Sequence, residues 1–303
     1  MTRRALWIAA AVVLVIVFLS MLWRDRGSID RENATLELIR SERMARLGYA
    51  GRVPIAYDDP IKGLTGEAAE IARLVLRKMG VDRVEGVLTQ SDALVPALYA
   101  RRFELIANGT EITPERCRQV LFSRPTHATG EAFLVRAGNP HDLHSYRDVA
   151  RHDHAAIGVV TASVQHRYAI DAGVAASRIR VLSSPAAGLA SLTSGVIDAF
   201  ASDTLAIQLL ANRADPTVVA KIERAQPFTG PIVDGVEVKR YGAFAFRKSD
   251  AGFHREFNRY LREFIGSDEH LALVQPFGIT RADLPGTVTA KEICRYGHPA
   301  PSE

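Results

Sequence analysis

The chain has 303 residues, of which 47% are hydrophobic and 24% charged, so it is long enough for a sizeable core in one large domain or two lobes. Lys and Arg number 38 against 34 Asp and Glu, a net charge of +4. Residues 1–23 hold two basic residues and no acid, so the rest carries 36 against 34, or +2, too weak a bias for a nucleic-acid partner.

Ala5 to Trp23 is an uncharged run of 19 residues behind Arg3 and Arg4. As a helix it just spans a bilayer core of about 30 Å. A cleaved signal peptide has a shorter apolar region and a small-x-small site, whereas Phe18 to Trp23 reads FLSMLW. No cysteine follows to carry a lipid. The expectation is an uncleaved signal anchor over residues 1–27, its positive end inside. That is a single-pass attachment to the cell membrane, with the rest of the chain in the periplasm or another extracytoplasmic space.

Residues 28–46 are polar and helix-compatible, with Leu36, Ile39 and Met44 forming only a partial apolar stripe, and are expected to be a stalk. ARLGYA and RVPIAY then suit a first strand and the loop leaving it. Gly66 to Met79 places Ile71, Leu74, Val75 and Leu76 on one broad face and stops at Gly80, which predicts a helix. EGVLT as strand, SDALVPALYAR as short helix, FELIANG as strand and TPERCRQVLF follow. Strands alternating with helices imply an α/β sheet whose ligand crevice lies at the strand ends, near Asn108 to Thr113.

A break at AGNPHDLHSY precedes a second run: HAAIGVV, TASVQHRYAIDAG, SRIRVLS, SPAAGLASLTSG and VIDAFASD, strands and helices in turn. EAFLVRAG before this run and YGAFAFRKSD after it alternate like strands that cross between lobes. The predicted organisation is lobe one over 47–136 and 241–303 and lobe two over 137–240, joined by a two-stranded hinge. Such lobes close on a small molecule.

Only two cysteines occur, Cys117 and Cys294. In an exported domain the even count suggests one disulfide, tying the C-terminal tail to the segment around Arg116. Two unrelated thiols is the other reading.

Several stretches, among them LTGEAAEIARLVLRKMGVDRVEGVLT, ITPERC, FSRPT, GEAFLVRAGNPHDLHSY, YGAFAFRKSD and EFIGSDEHLALVQPFGIT, carry a resemblance that covers nearly everything from Thr35 to Cys294. The chain resembles the periplasmic solute-binding proteins, family 3, of polar amino-acid ABC importers. It is most similar to their ectoine/hydroxyectoine-binding branch. The resemblance implies an α/β, two-lobed periplasmic binding protein fold of type II, with a ligand cleft between the lobes. It also implies a small-molecule ligand and ABC permease and ATPase partners.

The T-x-x-R motif implies that Arg116 clamps a ligand carboxylate, and a guanidinium fits that task because its parallel donors match the two oxygens. Pairing with Glu115 or capping a neighbouring element is the structural alternative. Ectoine binders hold a cationic ring with an acid and aromatic faces. Here the acid position is Arg52, its aromatic neighbour is Ile55, further aromatic positions are Ser91 and Glu111, and the one after FSRP is His127. Tyr57 alone survives as a stacking surface, so ectoine itself is not expected. Thr110 stands beside Glu111 as a further candidate.

In lobe two, Asp203 falls where amino-acid binders carry the acid for the ligand ammonium, although it also suits the N-cap of the next helix. Together, Arg116 and Asp203 would recreate a clamp for a zwitterion. Thr161, Ser163 and Gln165 stand at a strand-to-helix turn whose amides suit an anionic group. Glu111 is the unresolved member: it either meets Arg52 or a ligand ammonium, or neutralises Arg116 in the empty cleft.

Among the nine histidines, His152-x-His154 is the best metal candidate, but no third ligand stands at useful spacing. There is no G-x-S-x-G, P-loop or H-E-x-x-H motif. No catalytic residue, metal or cofactor is therefore expected. Two other functions fit the same fold: a sensing or orphan receptor domain without transport, and an enzyme resembling cyclohexadienyl dehydratases. An arginine beside Glu111 would make it a poor proton donor, which counts against the enzyme.

Overall fold

A computed structural model describes residues 32–297 except Ala162 and Asp234. The anchor expected over residues 1–27 lies outside the described residues. Among those described, no helix is long and apolar enough to cross a membrane.

The segment expected as a stalk is different where it is described. Residues 32–42 form a helix that buries Leu36 and Ile39 in the first-lobe core, and the first strand already begins at Met44. An i, i+3 pair is enough apolar surface to dock one helix face. The docking is close, since a Cβ on Gly252 would collide with Glu32 and Asn33. Arg40 with Glu256, and Arg255 with Glu32, pair across the same contact.

The first-lobe sheet runs Arg83–Leu88, Met44–Tyr49, Leu105–Glu111, Arg240–Phe246, Leu121–Phe122, with His127–Thr129 also on Arg240–Phe246. Its first three strands are parallel, and the returning strand Arg240–Phe246 is antiparallel to them. Helix Glu67–Lys78 covers one face, burying Ile71, Val75 and Leu76 as its spacing predicts. The C-terminal helices Ala251–Phe264 and Asp268–Val274 return to this lobe, with Phe253, Phe257 and Phe264 in its core.

The second sheet runs Ile179–Leu182, Ile157–Val160, Ala199–Asp203, Glu131–Arg136, Ile222–Arg224. Glu131–Arg136 was expected in lobe one, yet it pairs antiparallel with Ala199–Asp203, so the chain crosses at Gly130 rather than after Arg136. The Gly/Pro/Asn-rich stretch after Arg136 is a turn inside lobe two, where loop-forming residues are as common as between lobes. The return is made at Arg240, which pairs with Thr129 of the outgoing chain.

Cys117 and Cys294 are bonded, with their Cα atoms 5.7 Å apart and 177 positions of chain between them. The bridge fastens the helix Ala290–Tyr296 to the short helix Pro114–Cys117 that carries Arg116. Closing so long a loop restricts the unfolded chain. Cys117→Ser with Cys294→Ser is expected to lower the unfolding free energy by roughly 2–5 kcal/mol in urea titrations. Thiol titration of the denatured, unreduced wild type is expected to find no free group.

Candidate functional site

Arg116 is placed by local sequence. Thr113 caps the helix Pro114–Cys117 by accepting from the Arg116 amide at 3.2 Å, and Pro114 occupies the first turn. The Arg116 guanidinium donates to the Glu111 carbonyl at 3.0 Å, and the Glu111 carboxylate lies 3.8 Å away. Both side chains are nearly half exposed, so this pair is loose.

Arg52, Ser91, Asn108, Thr110, Glu111 and Arg116 line one pocket of about 260 Å³ in lobe one. The turn bearing Arg52 is held firmly: the Ile55 and Ala56 amides both donate to the Arg52 carbonyl at 2.8 Å. The Glu67 and Ala68 amides, at the start of the helix Glu67–Lys78, donate to the Pro54 and Ile55 carbonyls at 3.0 and 2.8 Å. Those helix-end donors are therefore spent on the loop. Asn108 accepts from the Ala50 amide at 3.0 Å and ties the loop to the strand of Thr110. The Thr110 hydroxyl is buried with no hydrogen-bond partner among the described residues. The Arg52 guanidinium has no ion-pair partner among them either.

Arg52 also lines a second space of about 160 Å³, together with Ile55, and here the other wall is Asp203, Leu205 and Ala206 of lobe two. Asp203 does cap the helix Thr204–Arg213, accepting from the Ala206 amide at 2.9 Å through one oxygen. One carboxylate oxygen is spent on the cap, and Asp203 as a residue lines the space between the lobes.

Other expected residues lie elsewhere. Tyr57 sits in a two-stranded hairpin opposite Thr65 and lines neither pocket. The Thr161 hydroxyl donates to the Leu182 carbonyl at 3.1 Å, which spends it on the backbone. The Ser163 hydroxyl is buried without a partner and away from both pockets. Gln165 is turned inward and donates to the Glu131 carboxylate at 2.8 Å.

Glu131 is the residue sequence reasoning missed. It is 4% exposed, at the crossing into lobe two and directly across from Asp203. Besides Gln165 it meets Arg240 at 3.3 Å, and the Tyr146 hydroxyl donates to it at 3.5 Å. Burial pushes its carboxyl up; Gln165 and Arg240 pull it down, Asp203 adds to the rise, and the net shift is upward. The available signal was alternation: in EAFLVR, Glu131 shares a face with Phe133 and Val135, which marks an inward-pointing acid.

His127, which stands where the resemblance implies an aromatic that this chain lacks, is buried, its Nδ1 3.1 Å from the Glu67 carboxylate. Its ring lies against Gly109 and Gly242, where any Cβ would collide with it.

A two-lobed fold, with a guanidinium-lined pocket in one lobe and a carboxylate lining the gap from the other, is the architecture of a solute-binding protein. Residues 46–278 match the bacterial extracellular solute-binding proteins, family 3, and the chain belongs to that family. It is 34% identical over 265 residues, 86% of each chain, to a probable amino-acid ABC transporter periplasmic-binding protein of Sinorhizobium fredii. Among solved structures it is similar to EhuB in complex with hydroxyectoine, at 29% identity and TM-score 0.57, over 87% of this chain and 98% of that one. The unliganded, open L-cystine receptor of Neisseria gonorrhoeae shares the fold, at 22% identity and TM-score 0.68, over 80% of this chain and 96% of that one.

Two predictions follow from this geometry. Asn caps helices as well as Asp does, so Asp203→Asn should change stability by only a few tenths of a kcal/mol, whereas Asp203→Ala should cost about 1 kcal/mol in chemical denaturation. Burial pushes the Glu67 carboxyl up, but the His127 ring and Thr126 outweigh it and hold it below its ordinary value of 4.5. A depressed folded-state pKa gives stability that is present above 4.5 and lost as pH falls through the lower folded value. Glu67→Gln is therefore expected to flatten the acid limb of stability against pH, read as unfolding free energy from urea titrations over a series of pH values.

Proposed function

We propose that this chain is the extracytoplasmic binding component of an ABC importer, capturing a small amino-acid-like zwitterion between its lobes. The observation that carries this reading is the opposition of charge across the gap. Arg116 and Arg52 stand on lobe one, and Asp203 stands on lobe two in the space that Arg52 also lines. A carboxylate on the first lobe and an ammonium on the second would pair each group as closure removes water. Swinging about the two crossings at Gly130 and Arg240 would bring the lobes together.

The named relatives support a binding role over a catalytic one. The ectoine cage is missing at Arg52, Ile55, Ser91 and Glu111, which separates this ligand from the one held by EhuB. Delivery would be to a permease driven by an ATPase, with the apolar run Ala5 to Trp23 as membrane tether.

Thermal-shift and calorimetric screening of the purified protein against amino acids, ectoines and betaines tests the reading. At least one zwitterion is expected to bind, and Arg116→Ala should weaken it about thirtyfold, or roughly 2 kcal/mol. Silence across the panel, or an unaffected Arg116→Ala variant, rejects the clamp. Glu111→Ser separates its two roles: tighter carboxylate binding means Glu111 neutralises Arg116 in the empty site, and lost binding means it faces the ligand.

A further inference from the structure

The helix Thr204–Arg213 is apolar on two opposite faces. Ile207 and Leu210, one turn apart, pack in the second-lobe cluster with Leu192 and Phe200. Leu205 lies on the other face and is only 5% exposed, yet the apolar cluster that buries it is that of lobe one, shared with Ile55 and Ile279. Helical spacing carries this second face on through Gln208, Leu209 and Asn212. Leu209 joins Leu205 and Ala206 in walling the interlobe space against Arg52 and Ile55. Gln208 and Asn212, bonded to each other at 2.9 Å, lie against Gly278 of lobe one, where an added Cβ would stand 2.9 Å from Gln208 Cγ and 3.4 Å from Asn212 Nδ2. Gly278 ends the short turn Gln275–Phe277 at a φ of +83°, which glycine adopts without strain, so the turn can bring its backbone up to the helix.

These contacts join the lobes directly, and they extend away from the pivot. The helix starts at the crossing, where the Thr204 amide donates to the Gly130 carbonyl at 3.0 Å. Asn212 stands about 12 Å further along the helix axis. A contact at that distance parts when the lobes swing open, and opening also returns Leu205 to water.

We propose that this face of the helix Thr204–Arg213 is a clasp: it holds the lobes together on the side of the cleft lined by Arg52 and Asp203, so part of the closing energy resides in the protein instead of the ligand. Because Asp203 caps the same helix, the clasp also sets its place opposite Arg52, which makes Leu205 and Gln208 positioning residues. Keeping the closed arrangement populated raises apparent ligand affinity in proportion to that population.

Spin labels at Asp92→Cys, beside the lobe-one pocket, and Val164→Cys, just beyond a strand parallel to the one that ends at Asp203, report the lobe separation; both sites are exposed. Pulsed electron paramagnetic resonance on the full-length protein, dialysed free of amino acids, is expected to give a predominantly short distance in the wild type. Leu205→Ala is expected to add a longer distance and to lower the closed-to-open ratio at least threefold. Gln208→Ala, at a partly exposed site where alanine favours the helix, is expected to do the same and decides the matter if Leu205→Ala does not fold. A wild type already spread to long distances, or a distribution unchanged by both substitutions, overturns the clasp. The readout needs no ligand, so its failure leaves the charge clamp untouched.

Discussion

A carboxylate taken out of water has to be answered by partners, and Glu131 meets that constraint at the point where the chain passes between lobes. Its partners come from both sides of the crossing: Arg240 from the returning strand, Gln165 and Tyr146 from lobe two. Since Glu131 pairs with Asp203 in the second sheet and Arg240 pairs with Thr129 in the first, the ion pair holds the two crossings side by side. It also decides what the neighbouring acid does. With Arg240 committed to Glu131, Asp203 keeps only its cap bond among the described residues and lines the gap.

Lobe one prepares its half of the cleft by a different route. The first amides of the helix Glu67–Lys78 hold the Pro54 and Ile55 carbonyls, so the turn bearing Arg52 is fastened to a rigid element. Below it, His127 pairs with Glu67 and fills the space left by Gly109 and Gly242, which supports the strand of Thr110 and Glu111 from its far face. On the other flank, the disulfide anchors the one-turn helix of Arg116. A site whose parts are fixed before the ligand arrives spends less binding energy on ordering them.

Much of this frame was legible in the sequence, because it rests on periodicity. The helix Glu67–Lys78, the alternating strands and the two-lobed order follow from spacing, and Arg52, Thr110, Glu111 and Arg116, singled out in the sequence, share one lobe-one pocket whose remaining lining was not foreseen. The misplacements share a cause: they depend on partners distant in the chain. Leu36 and Ile39 make a sparse stripe until the helix Ala251–Phe264 is laid against them. Glu131–Arg136 alternates equally well in either sheet, and only its pairing with Ala199–Asp203 assigns it. Gln165 and His127 each meet a buried carboxylate, Glu131 and Glu67, that turns it inward. No local pattern announces such a rotation.

Whether Glu111 blocks Arg116 is then a question of magnitude. Their charged groups lie 3.8 Å apart with both side chains nearly half exposed, and a pair in that setting contributes about 0–1 kcal/mol. The shorter bond, at 3.0 Å, runs to the Glu111 carbonyl through a single nitrogen and leaves the rest of the guanidinium fork unspent. A ligand carboxylate meeting that fork in a closing cleft gains charge-assisted bonds of about 1.5–3 kcal/mol each. Under the proposed clamp, an incoming carboxylate would outcompete the resident glutamate. Closure would strengthen the ligand's bonds by removing water, and Glu111 would be left to meet Arg52 or the ligand's own positive end. On that reading Glu111 would hold Arg116 in place before the ligand arrives and serve as a counter-charge afterwards.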